Sequence, residues 1–504
     1  MKKDNVKKYM VLLLLFLPLA FIVVENKIPD NDIWFLLNNG RYVMQSGIPV
    51  IDPFTIHEGL SYVMQQWLSS VLLWKIYDIF GQYGILIFMY MFSVILLFTY
   101  YKLCYVTSQN RMISVFITAV TFSLINTFVV TRPQIFTYLI LILELLLLEL
   151  YVKNNNIKYL IGLPILSLLL INLHASMWFF LFIFMLPYLI NTISIKKVTI
   201  DKIKLKPLII IMFFMLLVGF INPYGVDAIT YIFKSYGIVE INNSIAEMKV
   251  LTINDLYFKI VVGILFILIL FNYLRKDVKL DIRHYLFICG MTILAFSHKK
   301  CFALFCIVLG FVFSYYFKKM SKKNRLINSD IFKAVFRGLL TGLTLVSLVT
   351  VIAGIKYSII SYNDDNFYLS TGITEITDYM LDNVSIDDVV LFVEFNDGGF
   401  TEFLGFKSYM DPRAELFFKK YNNKEDIYLE SLEIESDPYY DYDLFINKYN
   451  FTHLIVKTDT YLDKYLSNDS NYKIVFNQYF NPDTKDVVIK KLYERKDYNK
   501  QKHT

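Results

Sequence analysis

The 504-residue chain has no glycine-rich phosphate loop, no GxSxG, no HExxH and no nucleotide-binding glycine motif. These absences exclude the common grips on a soluble nucleotide, a serine nucleophile on an elbow turn and a helix-borne zinc site. They point an enzyme of this build toward a donor drawn from the membrane. Cysteine is scarce, and Cys104, Cys289, Cys301 and Cys306 all lie in or beside apolar segments, with no CxxC and no His/Cys metal spacing. They read as small apolar residues of a helix bundle. The polar C-terminal region has none, so disulfides say nothing about its compartment. Charge is scarce as well, at 19% of residues where a soluble domain carries about a quarter. The net charge of +6 is no nucleic-acid signature, because Lys and Arg sit in short loops between apolar runs. No internal repeat or low-complexity tract is present.

Apolar residues fill the space these absences leave. The chain is 56% hydrophobic with a mean hydropathy of +0.46. Its apolar runs fall near 9–24, 82–100, 112–130, 135–152, 159–172, 177–194, 207–221, 257–274, 284–297, 301–317 and 338–360. Most approach the roughly 20 residues a helix needs to cross a bilayer. The expected fold is a polytopic α-helical membrane protein with about eleven transmembrane helices. Lys2, Lys3, Lys7 and Lys8 before Tyr9–Val24 resemble a secretory signal, but no small-x-small cleavage site follows. That segment reads as an uncleaved first span with its basic end in the cytoplasm. The abundance of Lys, Asn, Ile and Tyr suggests an AT-rich bacterial genome, and hence a bacterial cytoplasmic membrane.

Every second loop is basic: 101–111, 153–158, 195–206, 275–283 and 318–337. The positive-inside rule puts them in the cytoplasm with the N-terminus. This count requires that 62–77 not cross. Trp67 and Trp74 lie on its apolar face and Gln65, Gln66, Ser69 and Ser70 on the other, as in a helix lying flat at the outer interface. A true span there would invert everything downstream. The expected domains are therefore 1–360, a membrane domain with outer loops 25–81 and 222–256, and 361–504, an extracytoplasmic α/β domain. In the latter, helices at 374–383 and 461–466 alternate with strands near 389–393, 407–410, 451–456, 472–476 and 486–489, and Gly398-Gly399 opens a short helix.

Five polar motifs interrupt the apolar runs and fall on the outer face of this topology, as a shared site would. Asp30 and Asp32, an i, i+2 pair of acids after the first span, can deprotonate an acceptor hydroxyl or ligate a divalent cation such as Mg or Mn. The plainer reading is a solvated turn beside Pro29. Arg132 in Thr131-Arg-Pro-Gln134 is a cation at membrane depth suited to phosphate, or a side chain snorkelling to the interface. His174 in Asn172-Leu-His174 is a ligand contact or a satisfied hydrogen-bonder. Lys299 and Lys300 stand against the positive-inside bias, which suggests a compensating anion. Asn222-Pro-Tyr-Gly225 reads as a turn, and Glu247 beyond it as a partner for Lys or Arg, or as surface charge.

The first loop, Asp32-Ile-Trp-Phe-Leu-Leu-Asn-Asn-Gly40 through Gly47-Ile-Pro49, Asp52-Pro-Phe-Thr55 and Gln66-Trp67-Leu68, resembles the opening of bacterial GT-C superfamily glycosyltransferases, relatives of the protein O-mannosyltransferases. Thr131–Thr137, Asn172–His174, Asn222–Gly225, Lys300–Phe305, Gly398–Phe400 and Asp411–Phe417 follow the same pattern in order. The pattern departs at Leu36, where a histidine is expected, at Gln66, where an acid is, and at Lys300, where an arginine is. The resemblance implies an inverting transferase that moves a sugar from a polyprenyl-phosphate donor to a glycan, lipid or protein on the outer face. Asp32 is then the base or a metal ligand, with Asp30 second. Arg132, Lys299 and Lys300 neutralise the leaving phosphate, His174 and Glu247 position substrates, and the helix around Trp67 admits the lipid. The alternatives are a surface-polysaccharide polymerase or ligase, and a non-catalytic lipid or glycan transporter. Transporters tend toward midplane polar groups and inverted repeats, and this sequence shows neither.

Overall fold

The computed structural model describes residues 31–193, 201, 203–235, 238–274, 280–323, 372–480, 485 and 487–498, with single positions at 16, 20, 338, 342 and 349. The expected spans at 9–24 and 338–360 fall, single positions apart, outside the described residues, as does Asp30. The chain divides into two compact units. One comprises Phe80–Ile359 with residues 1–27, and the other Ile28–Ile79 with Ile360–Thr504. The first outer loop, grouped by sequence with the membrane domain, thus belongs with the C-terminal region.

Counting helices of eight or more residues among the described residues, the first are α1 (Asp32–Ser46) and α2 (Trp67–Ser108). The helical unit continues with α3 (Arg111–Leu124), α4 (Gln134–Asn154), α5 (Gly162–Leu173), α6 (Phe179–Ile190), α7 (Leu205–Gly219), α8 (Leu256–Leu274), α9 (Ile282–Ser297) and α10 (Phe302–Lys323). Among the described residues, four stretches are long and apolar enough to cross a membrane: α2, α4, α8 and Lys299–Phe317. The helices at 111–124, 157–173, 175–190, 205–219 and 282–297 are apolar but shorter. Burial separates the four. The apolar window of Lys299–Phe317 is 83% buried and that of α4 72%, against 11% for α8, so the first two form the core and α8 the periphery. Polar caps mark the ends. Asn110 accepts from the amides of Met112 and Ile113 at the start of α3, and Asp281 and His284 form a capping box on α9. Pro133 sits at the entry of α4, where its missing N–H costs nothing.

The second unit carries α11 (Thr374–Asn383), α12 (Phe395–Phe403), α13 (Ile427–Ser436), α14 (Tyr442–Tyr449) and α15 (Tyr461–Asn468). Its strands are β1 (Leu391–Phe392), β2 (His453–Lys457), β3 (Tyr472–Tyr479) and β4 (Val488–Arg495), in the order β1-β2-β4-β3. β1 runs parallel to β2, and the other pairings are antiparallel. The strand expected at 407–410 reduces to isolated bridges at Ser408, and Gly398-Gly399 lies inside α12 instead of opening it.

The helix expected over 62–77 begins only at Trp67, runs to a break at Gly81 (φ 60°), and resumes through Ser108. Its Ser69 and Ser70 are buried, not a solvated face. The backbone of Ser70 packs on Gly40 of α1, where a β-carbon would come within 2.1 Å of the Ser70 carbonyl oxygen. Small polar side chains here serve close helix approach.

Candidate functional site

Four of the sequence motifs meet within the helical unit. The turn before α4 projects Arg132, whose Nη1 donates to Glu247 Oε1 at 3.0 Å and Oε2 at 3.2 Å. Neither partner is sealed off, the two side chains being 18% and 44% exposed. The segment carrying Glu247 pairs with the turn between α9 and α10. The amide of Lys300 donates to the Glu247 carbonyl, that of Lys299 to the Lys249 carbonyl, both at 3.0 Å, and that of Leu251 to the Phe296 carbonyl at 3.2 Å. Glu247 is therefore tied by backbone to the Lys300 turn and by side chain to Arg132. Lys299 Nζ donates to Asp255 Oδ1 at 2.6 Å and holds that carboxyl down at about 2. Asp255 is the compensating anion for Lys299.

His174 ends α5, and its Nδ1 shares a 2.8 Å hydrogen bond with Thr137 Oγ1 on the first turn of α4. The ring is buried, within electrostatic range of Lys300. Asn172 Nδ2 donates to the Ile221 carbonyl at 3.0 Å, which joins the Asn172–His174 and Asn222–Gly225 motifs. Asn222 closes its own turn, donating to the Gly219 and Gly225 carbonyls and accepting from the Tyr224 amide. Arg132, His174, Glu247, Lys299 and Lys300 are thus neighbours along one end of the unit, although they come from widely separated segments.

Asp32 and Trp67 belong to the other unit, Asp32 as the first residue of α1 and Trp67 as the first of α2. Among the described residues no group of three or more His, Cys, Asp or Glu is arranged to hold a metal ion. With Asp30 outside the described residues, no step is assigned to a Mg or Mn ion.

Two buried ionic clusters were not foreseen as such. In the helical unit Arg283 bonds to Glu149 at 3.1 Å, Asp201 at 2.9 Å and Asp281 at 2.5 Å, and Tyr188 donates to Glu149 at 2.9 Å. Glu144, five residues earlier on α4, is buried with no hydrogen-bond partner among the described residues. Two acids inside the apolar run 135–152 were the available signal, since an ionisable group at membrane depth is costly unless paired or functional. In the second unit Arg413 bonds to Asp52 at 2.5 Å and to Asp411, with Glu402 3.6 Å away, under the rings of Phe54 and Tyr62. Burial, with Asp411 alongside, pushes the Glu402 carboxyl well above the usual range.

No protein-family model matches the chain, and no curated protein matches it by sequence. Among solved structures it is similar to the oligosaccharyltransferase of Archaeoglobus fulgidus in the apo form, with a TM-score of 0.52 at 12% identity, over 89% of this chain and 69% of that one. A second structure of that enzyme, tethered by a disulfide to an acceptor peptide containing the NVT sequon, gives a TM-score of 0.53 at 12% identity, over 90% and 69%. The likeness is one of fold alone.

Proposed function

We propose that this protein is a membrane glycosyltransferase of a bacterial cytoplasmic membrane. It takes a sugar from a polyprenyl-phosphate-linked donor and attaches it to a glycan, lipid or protein on the extracytoplasmic face. The observation that carries the reading is the gathering of Arg132, Glu247, Lys300 and His174 at one end of an apolar helical unit. Cations at the end of apolar helices suit a phosphate whose lipid tail stays in the bilayer. The fold shared with an oligosaccharyltransferase supports the same class of transfer.

In this reading the acceptor oxygen bonds to the anomeric carbon as the bond from that carbon to the phosphate oxygen breaks, with inversion. Asp32 takes the acceptor proton. The phosphate leaves on its polyprenyl chain, its developing charge met by Arg132, Lys299 and Lys300. His174 and Glu247 orient the substrates, the helix from Trp67 admits the lipid, and the C-terminal region meets the acceptor.

Deletion of the gene, followed by mass spectrometry of lipid-linked sugars and envelope glycans, tests the class. The expected result is accumulation of one polyprenyl-phosphate sugar and loss of one glycan substituent. Unchanged pools would overturn it. A second reading, transfer of a whole oligosaccharide to a peptide, is favoured by the named activity of the fold neighbour, and would instead accumulate a lipid-linked oligosaccharide. Restoring the gene as Asp32→Asn should leave transfer lower by about 10²–10⁴-fold at normal protein level. The eleven-span topology predicts that a cysteine at Asn468, an exposed position, is labelled from outside intact cells and one at Asn155 is not. Labelling at Asn155 alone would invert the face assignment.

A further inference from the structure

We infer that segment 395–413 of the C-terminal region is a positioning element for Asp32, fixing the direction of the helix on which that carboxylate stands. The inference rests on the reading of Asp32 as the acid that accepts the acceptor proton, and adds how that acid is held.

Helix α1 starts at Asp32, and its N-cap, Asn31, makes no side-chain capping bond. A helix entry without that clamp takes its direction from packing. Here the packing comes from α12. Residues Ile33 to Gly40 are all buried, and the Trp34 ring lies 5.0 Å from that of Phe400 and 5.1 Å from that of Phe403. The backbone of Phe35 rests directly on Gly399, where a β-carbon would stand 3.2 Å from the Phe35 nitrogen and 3.3 Å from its Cβ. Further along, Arg41 donates to the Phe403 carbonyl at 2.8 Å. Contact therefore runs along most of α1, with the tightest point one turn from Asp32.

The far side of α12 is equally confined. A β-carbon on Gly398 would sit 1.8 Å from the Met410 carbonyl oxygen, and the next residues, Asp411 to Arg413, carry the buried cluster that holds Asp52. One stretch of chain thus fixes α1 on one side and the loop that follows α1 on the other. A general base must lie within hydrogen-bond reach of its proton, and a displacement of about 1 Å can cost roughly a hundredfold. Gly399 and Trp34 are the positioning residues. A methyl at Gly399 presses on α1 by a few tenths of an ångström, whereas one at Gly398 meets backbone and would disrupt the unit.

The test uses the full chain with Cys289→Ala, so that its remaining cysteines are buried. Three quantities are read in Gly399→Ala and in Trp34→Phe, which loosens the same contact without pressing on the backbone. They are the transfer rate in membranes of the complemented deletion strain, the affinity for undecaprenyl phosphate in nanodiscs, and the maleimide labelling rate of Asn31→Cys. The expected result is a transfer rate down by about tenfold or more, undecaprenyl phosphate affinity within twofold of wild type, and a labelling rate changed severalfold. Added to Asp32→Asn, Gly399→Ala should cause no further loss. A further loss of the same factor on that background, or weakened lipid-phosphate binding, would make the contact merely structural and overturn the inference. So would an unchanged labelling rate in both variants. If Asp32→Asn retains full transfer while labelling still shifts, the assignment of the base fails and the control of α1 by α12 stands.

Discussion

Arg132 and Arg283 belong to the same helical unit, and each faces carboxylate, but they are built differently. Arg132 precedes the first residue of α4, and Arg283 pairs with Glu149 near its other end, about 22 Å away at 1.5 Å per residue. Arg132 pairs with Glu247 and is partly open, its side chain 18% exposed. Arg283 is 1% exposed and bonded to three carboxylates. An open pair is worth about 0.2–1 kcal/mol and is readily exchanged, so a phosphate can compete with Glu247 for Arg132. A sealed network has no such freedom, because removing one member strands the others out of water. Depth separates a guanidinium that holds the fold from one able to receive an anion.

The largest effect that could break this comparison is at Arg283. Arg283→Ala leaves Glu149, Asp201 and Asp281 without their cation and should cost about 3–5 kcal/mol. Membrane abundance and thermal stability in detergent should both drop, while transfer per folded molecule stays near wild type. Normal abundance would show that the network does not hold the helices. Next comes Arg132→Ala, which should leave abundance unchanged and lower transfer by about 10²–10³, the usual loss for one preorganised group facing developing charge. Loss of protein with an unchanged rate per molecule would put both arginines in one class. Smaller again is Glu247→Gln. If Glu247 competes with phosphate for Arg132, affinity for undecaprenyl phosphate at low salt should rise by up to about fivefold, the equivalent of an exposed pair. A fall would mean that Glu247 itself contacts the lipid phosphate's partner.

Much of the helical unit was legible from hydropathy, because a backbone in lipid must satisfy itself within a helix and its side chains must be apolar. Charged motifs at helix ends were legible for the same reason, as costly interruptions. The helix at Thr374–Asn383 and the strands at Leu391–Phe392, His453–Lys457, Tyr472–Tyr479 and Val488–Arg495 followed from local pattern, whereas the segment 407–410 did not. What local pattern does not carry is partnership at long range. Arg132 and Glu247 are 115 positions apart, and Asp52 and Arg413 are 361 apart. The second separation is why residues 28–79 read as an outer loop of the membrane domain when they pack with the C-terminal region. Ser69 and Ser70 were ambiguous in kind, since small polar residues mark a solvated helix face and a close-packed one equally well. Only Gly40 opposite decides between them.

The smallest expected effect lies in the second unit, where a neutral group replaces the guanidinium. His57 Nε2–H donates to the Tyr409 carbonyl at 2.7 Å, and the ring packs 5.4 Å from both Tyr409 and Tyr449. Burial holds the imidazole below its ordinary value of 6.5, against the opposing pull of the Tyr409 carbonyl, Glu425, Asp52 and Glu430. The unfolded chain therefore binds a proton at His57 at a higher pH than the folded one does. The stability this supplies is complete above about pH 6.5 and is lost as pH falls from there toward the lowered value. One such site contributes at most about 1.4 kcal/mol per pH unit. Carboxylates in the same unit add their own acid dependence, so the informative quantity is a difference between proteins. His57→Gln keeps an N–H able to reach the Tyr409 carbonyl but cannot titrate. Thermal unfolding of the full chain in detergent between pH 7.5 and 5.5 should decline more steeply for the wild type than for His57→Gln. Identical slopes would assign the acid sensitivity to the carboxylates around Arg413 and leave His57 a packing group alone.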